Sequence, residues 1–234
     1  MKPELQLLTA TGARPEAFAL CQRWAARQTY TGRVTWIIVD DGPIGQRVEP
    51  MPDNWQQVVI RRAPYWQRGQ NTQAANLLRG LEAVNPDVPL VIWEDDDWYA
   101  PDWLTTVAHA LQNAELVGEN MAYYYNVAQR KWRQMHNTHH ASLCATAMQG
   151  AAIETFRRMC RQHHKFIDIE LWRAHRSRHL FAGHRVVGIK GLPGRGCIGS
   201  GHDMNFRGQA DANLVKLREW IGDDAEVYAR HGGR

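Results

Sequence analysis

The stretch Val91-Ile92-Trp93-Glu94-Asp95-Asp96-Asp97-Trp98-Tyr99-Ala100-Pro101-Asp102 opens as an apolar strand and stops at four consecutive acids. It then turns, through a proline, toward a helix beginning near Asp102. Neighbouring carboxylates repel one another, and ordinary folding does not ask for four of them at the end of a buried strand. A divalent cation resolves the conflict, because hard oxygen ligands hold Mg²⁺ or Mn²⁺ while leaving positions open for phosphate and water. The competing account is a solvated acidic turn or a helix start, where acids are also favoured.

On the N-terminal side, Leu5-Gln6-Leu7-Leu8-Thr9 reads as a first strand and Ala10 to Arg14 as a loop. A helix starts at Pro15 or Glu16, since proline suits a first helical turn. Phe18, Leu20, Cys21, Trp24 and Ala25 recur along it at helical spacing. Val34 to Val39 is a β-branched and aromatic run of the kind buried on both faces, so a parallel strand is expected. It ends in Asp40-Asp41-Gly42. Strand, helix and strand make a βαβ unit, and ligands of open α/β sheets sit outside the carboxyl ends of the strands. Asp-Gly is also a common turn pair. A third strand, Gln57 to Arg61, precedes a helix that Asn71 or Thr72 caps and that breaks at Asn85-Pro86. Leu90 to Trp93 is the fourth strand. With these strands parallel, Asp40 and Asp41 share one rim with Asp95, Asp96 and Asp97, and Thr9 ends the strand before them.

After a helix from Pro101 to Gln112 the pattern changes. Met121 to Val127 and Arg130 to His136 read as an antiparallel hairpin, and Ala141 to Ala147 as a small-residue run leading to a helix over 151–161. In Phe166-Ile167-Asp168-Ile169-Glu170-Leu171-Trp172-Arg173, apolar neighbours would raise the pKa of Asp168 or Glu170 and suit it to proton transfer; first-turn acids of a helix are the plainer account. Val186 to Lys190 is a strand entering a glycine-rich loop that runs to Asp203. Lys190 and Arg195 there suit phosphate and His202 suits a metal, against the alternative of an ordinary surface loop. A helix from Asp211 to Ile221 closes the chain.

Length and composition bound these readings. With 234 residues and 44% hydrophobic content, one sizeable α/β domain is expected. The net charge of +4 is compatible with an anionic partner without establishing one. No secretory h-region or apolar span is present, so a cytoplasmic protein without a membrane span is expected. Cys21, Cys144, Cys160 and Cys197 lack the spacing of a zinc site or disulfide framework. Several of the ten tryptophans flank the polar motifs, where flat rings stack on a sugar or a base.

The order of "VDDG" (39–42), "NTQAANLLRGLE" (71–82) and "EDDDWYAPDWL" (94–104) resembles the GT-A fold glycosyltransferases, particularly the inverting enzymes of family 2. The resemblance implies an α/β fold: a Rossmann-like mixed sheet flanked by helices, parallel in its N-terminal half, with an antiparallel hairpin in the C-terminal half. It implies one domain over 1–234, with 1–112 binding a nucleoside-diphosphate sugar and 113–234 the acceptor. In that family an aspartate ending the second strand holds the nucleotide base, which matches Asp41 with Asp40 beside it. The D-x-D motif, matched by Asp95, Asp96 and Asp97, binds the ribose and a divalent metal, Mn²⁺ or Mg²⁺. We expect Asp95 and Asp97 with His202 at the metal, although the sequence leaves open which of the three aspartates ligates it. Thr9, Asn71, Lys190 and Arg195 complete the expected donor site. The family's base often precedes an "LW" helix, which matches Asp168, with Glu170 in reserve.

An inverting transfer needs a carboxylate to deprotonate the acceptor hydroxyl, and a metal and basic groups to stabilise the departing diphosphate. The acceptor is left as a glycan, a lipid-linked sugar, a protein or a modified base in DNA. The last follows from the basic stretch between Arg157 and Arg185, interleaved with Phe166, Trp172 and Phe181, which also reads as a solvated helix face. Two other classes are weighed. Nucleotidyl transfer asks for a glycine-rich loop after the first strand, and Thr9 to Pro15 holds one glycine. A non-catalytic nucleotide- or metal-binding module would hold Ca²⁺ structurally and release no nucleoside diphosphate from a donor.

Overall fold

The computed structural model describes residues 2–163, 165–195 and 206–232. Its first half is built on β1 (Leu5–Thr11), an interior strand of the larger sheet flanked by β4 and β2. After α1 (Pro15–Ala26), β2 (Val34–Asp40) pairs parallel with β1 from Leu5↔Val34 to Thr11↔Asp40, and β3 (Trp55–Arg61) extends the sheet outward. The chain returns through α2 (Gln73–Leu81) to β4 (Leu90–Ile92), parallel to β1 on its other side. β1, β2 and β4 are almost wholly buried, as their near-continuous apolar runs require of strands covered on both faces. The carboxyl ends of these three strands therefore lie side by side, and the acids at 40–41 and 95–97 follow two of them.

The acidic segment is closed by aromatic stacking. Trp93 and Tyr99, on either side of it, stack with ring centroids 3.8 Å apart, and the Glu94 amide donates to the Tyr99 hydroxyl at 2.8 Å. Four acids are thereby folded into a tight turn ending in β5 (Trp98–Tyr99). α3 (Trp103–Ala110) follows, shorter at both ends than the expected 101–112.

In the second half, β6 (Leu116–Glu119), β7 (Met121–Asn126), β8 (Lys131–His136), β9 (Thr146–Met148), α4 (Ala151–Gln162) and α5 (Ile167–Ala174) precede β10 (Arg178–Phe181) and β11 (Val186–Lys190). β12 (Gln209–Ala210) and α6 (Val215–Ile221) complete the elements. The larger sheet runs β10-β6-β9-β4-β1-β2-β3, and a second sheet runs β12-β8-β7-β11-β5. The hairpin β7–β8 falls in the second sheet, where β11 pairs parallel with β7 and antiparallel with β5.

The small-residue run 141–147 contains an element that its sequence does not announce. β9 inserts antiparallel between β4 and β6, joining the two halves of the larger sheet. Three residues are too few to display an alternating pattern. The last helix starts at Val215 rather than Asp211, because the Asp211 carboxylate instead accepts the amides of Lys216 at 3.1 Å and Leu217 at 3.2 Å, and Leu214 turns left-handed (φ 58). Cys21, Cys144 and Cys160 are buried free thiols, and Cys197 lies outside the described residues. Among the described residues, no helix is long and apolar enough to cross a membrane.

The insertion of β9 is tight at Gly118 of β6. A Cβ there would lie 2.5 Å from both the Ala145 carbonyl oxygen and the Ala141 Cβ. Gly118→Ala should cost about 1–3 kcal/mol through overpacking against backbone that cannot yield, read as a lowered urea midpoint.

Candidate active site

A cavity of about 1040 Å³ opens at the carboxyl ends of β1 and β4. Its buried floor is lined by Thr11, Arg14, Glu94, Asp95, Asp96 and Lys190, and its wall from the second half by Tyr124, Ser142, Cys144 and Asp168. Two cations pair with three of the four acids. The Arg14 guanidinium donates to Asp95 at 2.6 Å and to Asp96 at 3.0 Å, and the Thr11 hydroxyl donates to the other Asp95 oxygen at 2.7 Å. Lys190 Nζ donates to Asp97 at 2.8 Å and lies 3.5 Å from Asp96.

Burial governs the proton equilibria here. It raises Asp97 to about 6, opposed by the Lys190 charge, and it raises Glu94 well above the carboxylate range with help from Asp97. Asp95 is raised by burial against the pull of Arg14. Burial disfavours the Lys190 ammonium, but Asp96, Asp97 and Glu94 outweigh it and hold that pKa well above the ordinary lysine value.

The expected site residues divide into four groups. Asn71, Asp95, Asp96, Asp168, Lys190 and Arg195 line the cavity. Thr9, Asp40, Asp41 and Asp97 sit beneath it, fully engaged or fully buried. Thr9 donates to the Trp93 carbonyl at 2.7 Å and accepts from the Trp36 indole at 2.8 Å. Asp40 accepts the amides of Gly42 and Gln46 and pairs with Arg61. Asp41 accepts from Arg195 at 2.6 Å and from the Thr72 hydroxyl, and the Arg195 guanidinium lies 5.0 Å from the Trp66 ring. Glu170 stands apart from the cavity, paired with Arg173 at 2.6 Å. His202 lies outside the described residues.

Asp168 lies in the first turn of α5 and is raised above the usual aspartate value by burial, with the Ile169 amide and the charge of His140 acting against it. Tyr124, whose hydroxyl pairs with Ser142 at 2.7 Å, stands near it. Sequence reasoning passed over Arg14, Thr11 and Cys144, and counted Glu94 only as one of the four consecutive acids. Thr11 ends β1 and Arg14 follows it, so the rule that ligands gather at strand carboxyl ends pointed to them. Nothing local marks Cys144.

Glu94, Asp97 and Cys144 bring ligand atoms within 4.8 Å of one another, and the Asp97 Oδ2 has no hydrogen-bond partner among the described residues. An orphaned buried carboxylate oxygen facing a second carboxyl group is the donor set that a hard cation satisfies.

Residues 19–183 match the model of glycosyl transferase family 2. The match covers more than half of the chain, which therefore belongs to that family. In fold it is similar to S. aureus TarS, with a TM-score of 0.58 at 9% identity over 80% of this chain and 36% of TarS. A TarS fragment in complex with UDP gives 0.57 at 8% identity over 80% of this chain and 60% of the fragment. The same fragment with UDP-GlcNAc gives 0.54 at 8%, over 80% and 58%. The chain thus spans less than two thirds of each of these structures, and at such identities the likeness concerns the GT-A fold. No curated protein matches the chain.

The Asp97–Lys190 pair is buried on both sides. Asp97→Ala should cost about 3–5 kcal/mol in folding free energy, because it strips Lys190 of its direct partner; chemical denaturation of the two proteins measures the difference. A variant as stable as the parent would remove this pair from the foundations of the site.

Proposed function

We propose that this enzyme transfers a sugar from a nucleoside-diphosphate sugar to an acceptor hydroxyl with inversion at the anomeric carbon, assisted by Mn²⁺ or Mg²⁺. The observation that carries the reading is one cavity lined both by the acidic turn and by Asp168, so that donor diphosphate and acceptor hydroxyl can share it. Residues 1–112 supply the acidic turn, Arg14 and Asn71 and would hold the donor; 113–234 supply Asp168 and would hold the acceptor. The TarS fragment was solved with UDP and with UDP-GlcNAc, which makes uridine donors the first to test.

Asp168 acts as the base. Its partial burial favours taking up a proton, and a single base with direct displacement inverts the anomeric centre. Arg14, Lys190 and Arg195 neutralise the diphosphate as it leaves, and Asp41 orients Arg195. Asp95, Asp96 and Asp97 pair with Arg14 or Lys190 on the floor, whereas Glu94 forms an ion pair with neither, which leaves it available to a divalent ion. Glu94 and Asp97 would hold the ion, since both Asp95 oxygens are already bonded to Arg14 and Thr11. Bound there, it would neutralise charge developing on the leaving group. The two carboxylates suit Mn²⁺ or Mg²⁺ better than the Cys144 thiol, whose pKa burial raises well above its ordinary value.

Two measurements test this reading. UDP with Mn²⁺ should raise the melting temperature more than UDP alone, and Glu94→Gln should lose the Mn²⁺-dependent part; equal shifts in both proteins would take Glu94 out of the metal site. Asp168→Asn should lower the transfer rate by about 100-fold or more while UDP still binds. Because Asp168 must be ionised to act and its pKa is raised, wild-type kcat/KM should fall on acidification through a pKa above the usual aspartate value. Normal turnover by Asp168→Asn would disqualify it as the base.

A further inference from the structure

Arg133 on β8, Lys165 and Phe166 ahead of α5, and Arg207 ahead of β12 line the same cavity as Asp168, and all four are exposed. The floor cations Arg14, Lys190 and Arg195 each pair with an aspartate. By contrast, among the described residues no carboxylate forms an ion pair with Arg133, Lys165 or Arg207. Two of these cations come from neighbouring segments of the second sheet. Gln209 lies opposite Trp132 and Ala210 opposite Lys131, so the segment that carries Arg207 runs up to β8, and both arginines line the cavity. Phe166 is 70% exposed and left-handed (φ 58), a conformation unfavourable for a bulky side chain. Its ring is held in water beside Lys165, at the edge of the space that Asp168 faces.

We propose that the acceptor is a single strand of nucleic acid, with its phosphates on Arg133, Lys165 and Arg207 and a base stacked on Phe166; this rests on the glycosyltransferase reading of the cavity. Cations that track a backbone beside an exposed aromatic ring are how such strands are held without sequence preference. A neutral glycan would stack on Phe166 but gives three unpaired cations nothing to bind. A polyol phosphate would use the cations and leave the ring idle. The acceptor oxygen would be the hydroxyl of a modified, hydroxylated base, and an unpaired strand presents it to the cavity without the unstacking that a duplex base must undergo to flip out. In the transfer, Asp168 takes the acceptor proton, the acceptor oxygen bonds to the anomeric carbon, and the bond from that carbon to the diphosphate breaks, releasing nucleoside diphosphate.

The test is fluorescence anisotropy of a labelled oligothymidine titrated with the full chain over a range of salt. Binding should weaken with salt, and Arg133→Ala, Lys165→Ala and Arg207→Ala should each make the log–log slope shallower by about 0.7. Phe166→Ala should weaken binding about tenfold with the slope unchanged, and Phe166→Trp should restore it. Thermal melts of each variant confirm that the fold is kept. Absence of binding at low salt, an unaltered affinity in Phe166→Ala, or inorganic polyphosphate competing as well as unlabelled oligothymidine would each overturn the proposal. If oligothymidine fails to bind while UDP with Mn²⁺ still raises the melting temperature, the acceptor assignment falls alone. If neither binds, the glycosyltransferase reading of this cavity falls with it.

Discussion

Four carboxyl groups in succession, Glu94 to Asp97, are buried or half-buried at the end of a strand, and the fold depends on the two cations that make this tolerable. Burying a lone charge is costly, and like charges side by side make it worse. Arg14 arrives from the loop after β1, 81 residues before Asp95, and Lys190 from the end of β11, 93 residues after Asp97. The acidic turn can be formed only when both distant segments have docked. The acidic turn thereby ties the larger sheet to the second sheet through a short cluster of ion pairs.

That constraint also explains the division of labour between the sheets. The larger sheet brings the carboxyl ends of β1, β2 and β4 together, and with them Thr11, Asp40–Asp41 and the acidic turn. The second sheet carries Lys190, Tyr124 and Arg133 across from the acids, and β5, the continuation of the acidic turn, is one of its own strands. The turn is thus clamped between the two sheets, with the Trp93–Tyr99 stack as its hinge pin. A reacting pair of molecules placed there meets groups from both halves of the chain.

The cavity has a charge gradient with chemical sense. Its buried floor joins the acidic turn to Arg14, Lys190 and Arg195. Its exposed rim carries cations without carboxylate partners among the described residues. Between them stands Asp168, raised by burial and therefore a stronger base than a surface aspartate.

The sequence by itself determined the parallel strands, through runs such as Val34 to Val39 that only a doubly covered strand accommodates, and the acids at their carboxyl ends. It also placed Asp168 at a helix start among apolar neighbours. Those are local patterns, and local periodicity reports local structure. Tertiary structure alone decided that β9, three residues long, splits β4 from β6, that Asp168 faces the cavity while Glu170 turns to Arg173, and that Asp97 lies under the floor holding Lys190. Each of these turns on which side chain points at which distant partner, and that is fixed by packing and ion pairing between segments tens of residues apart.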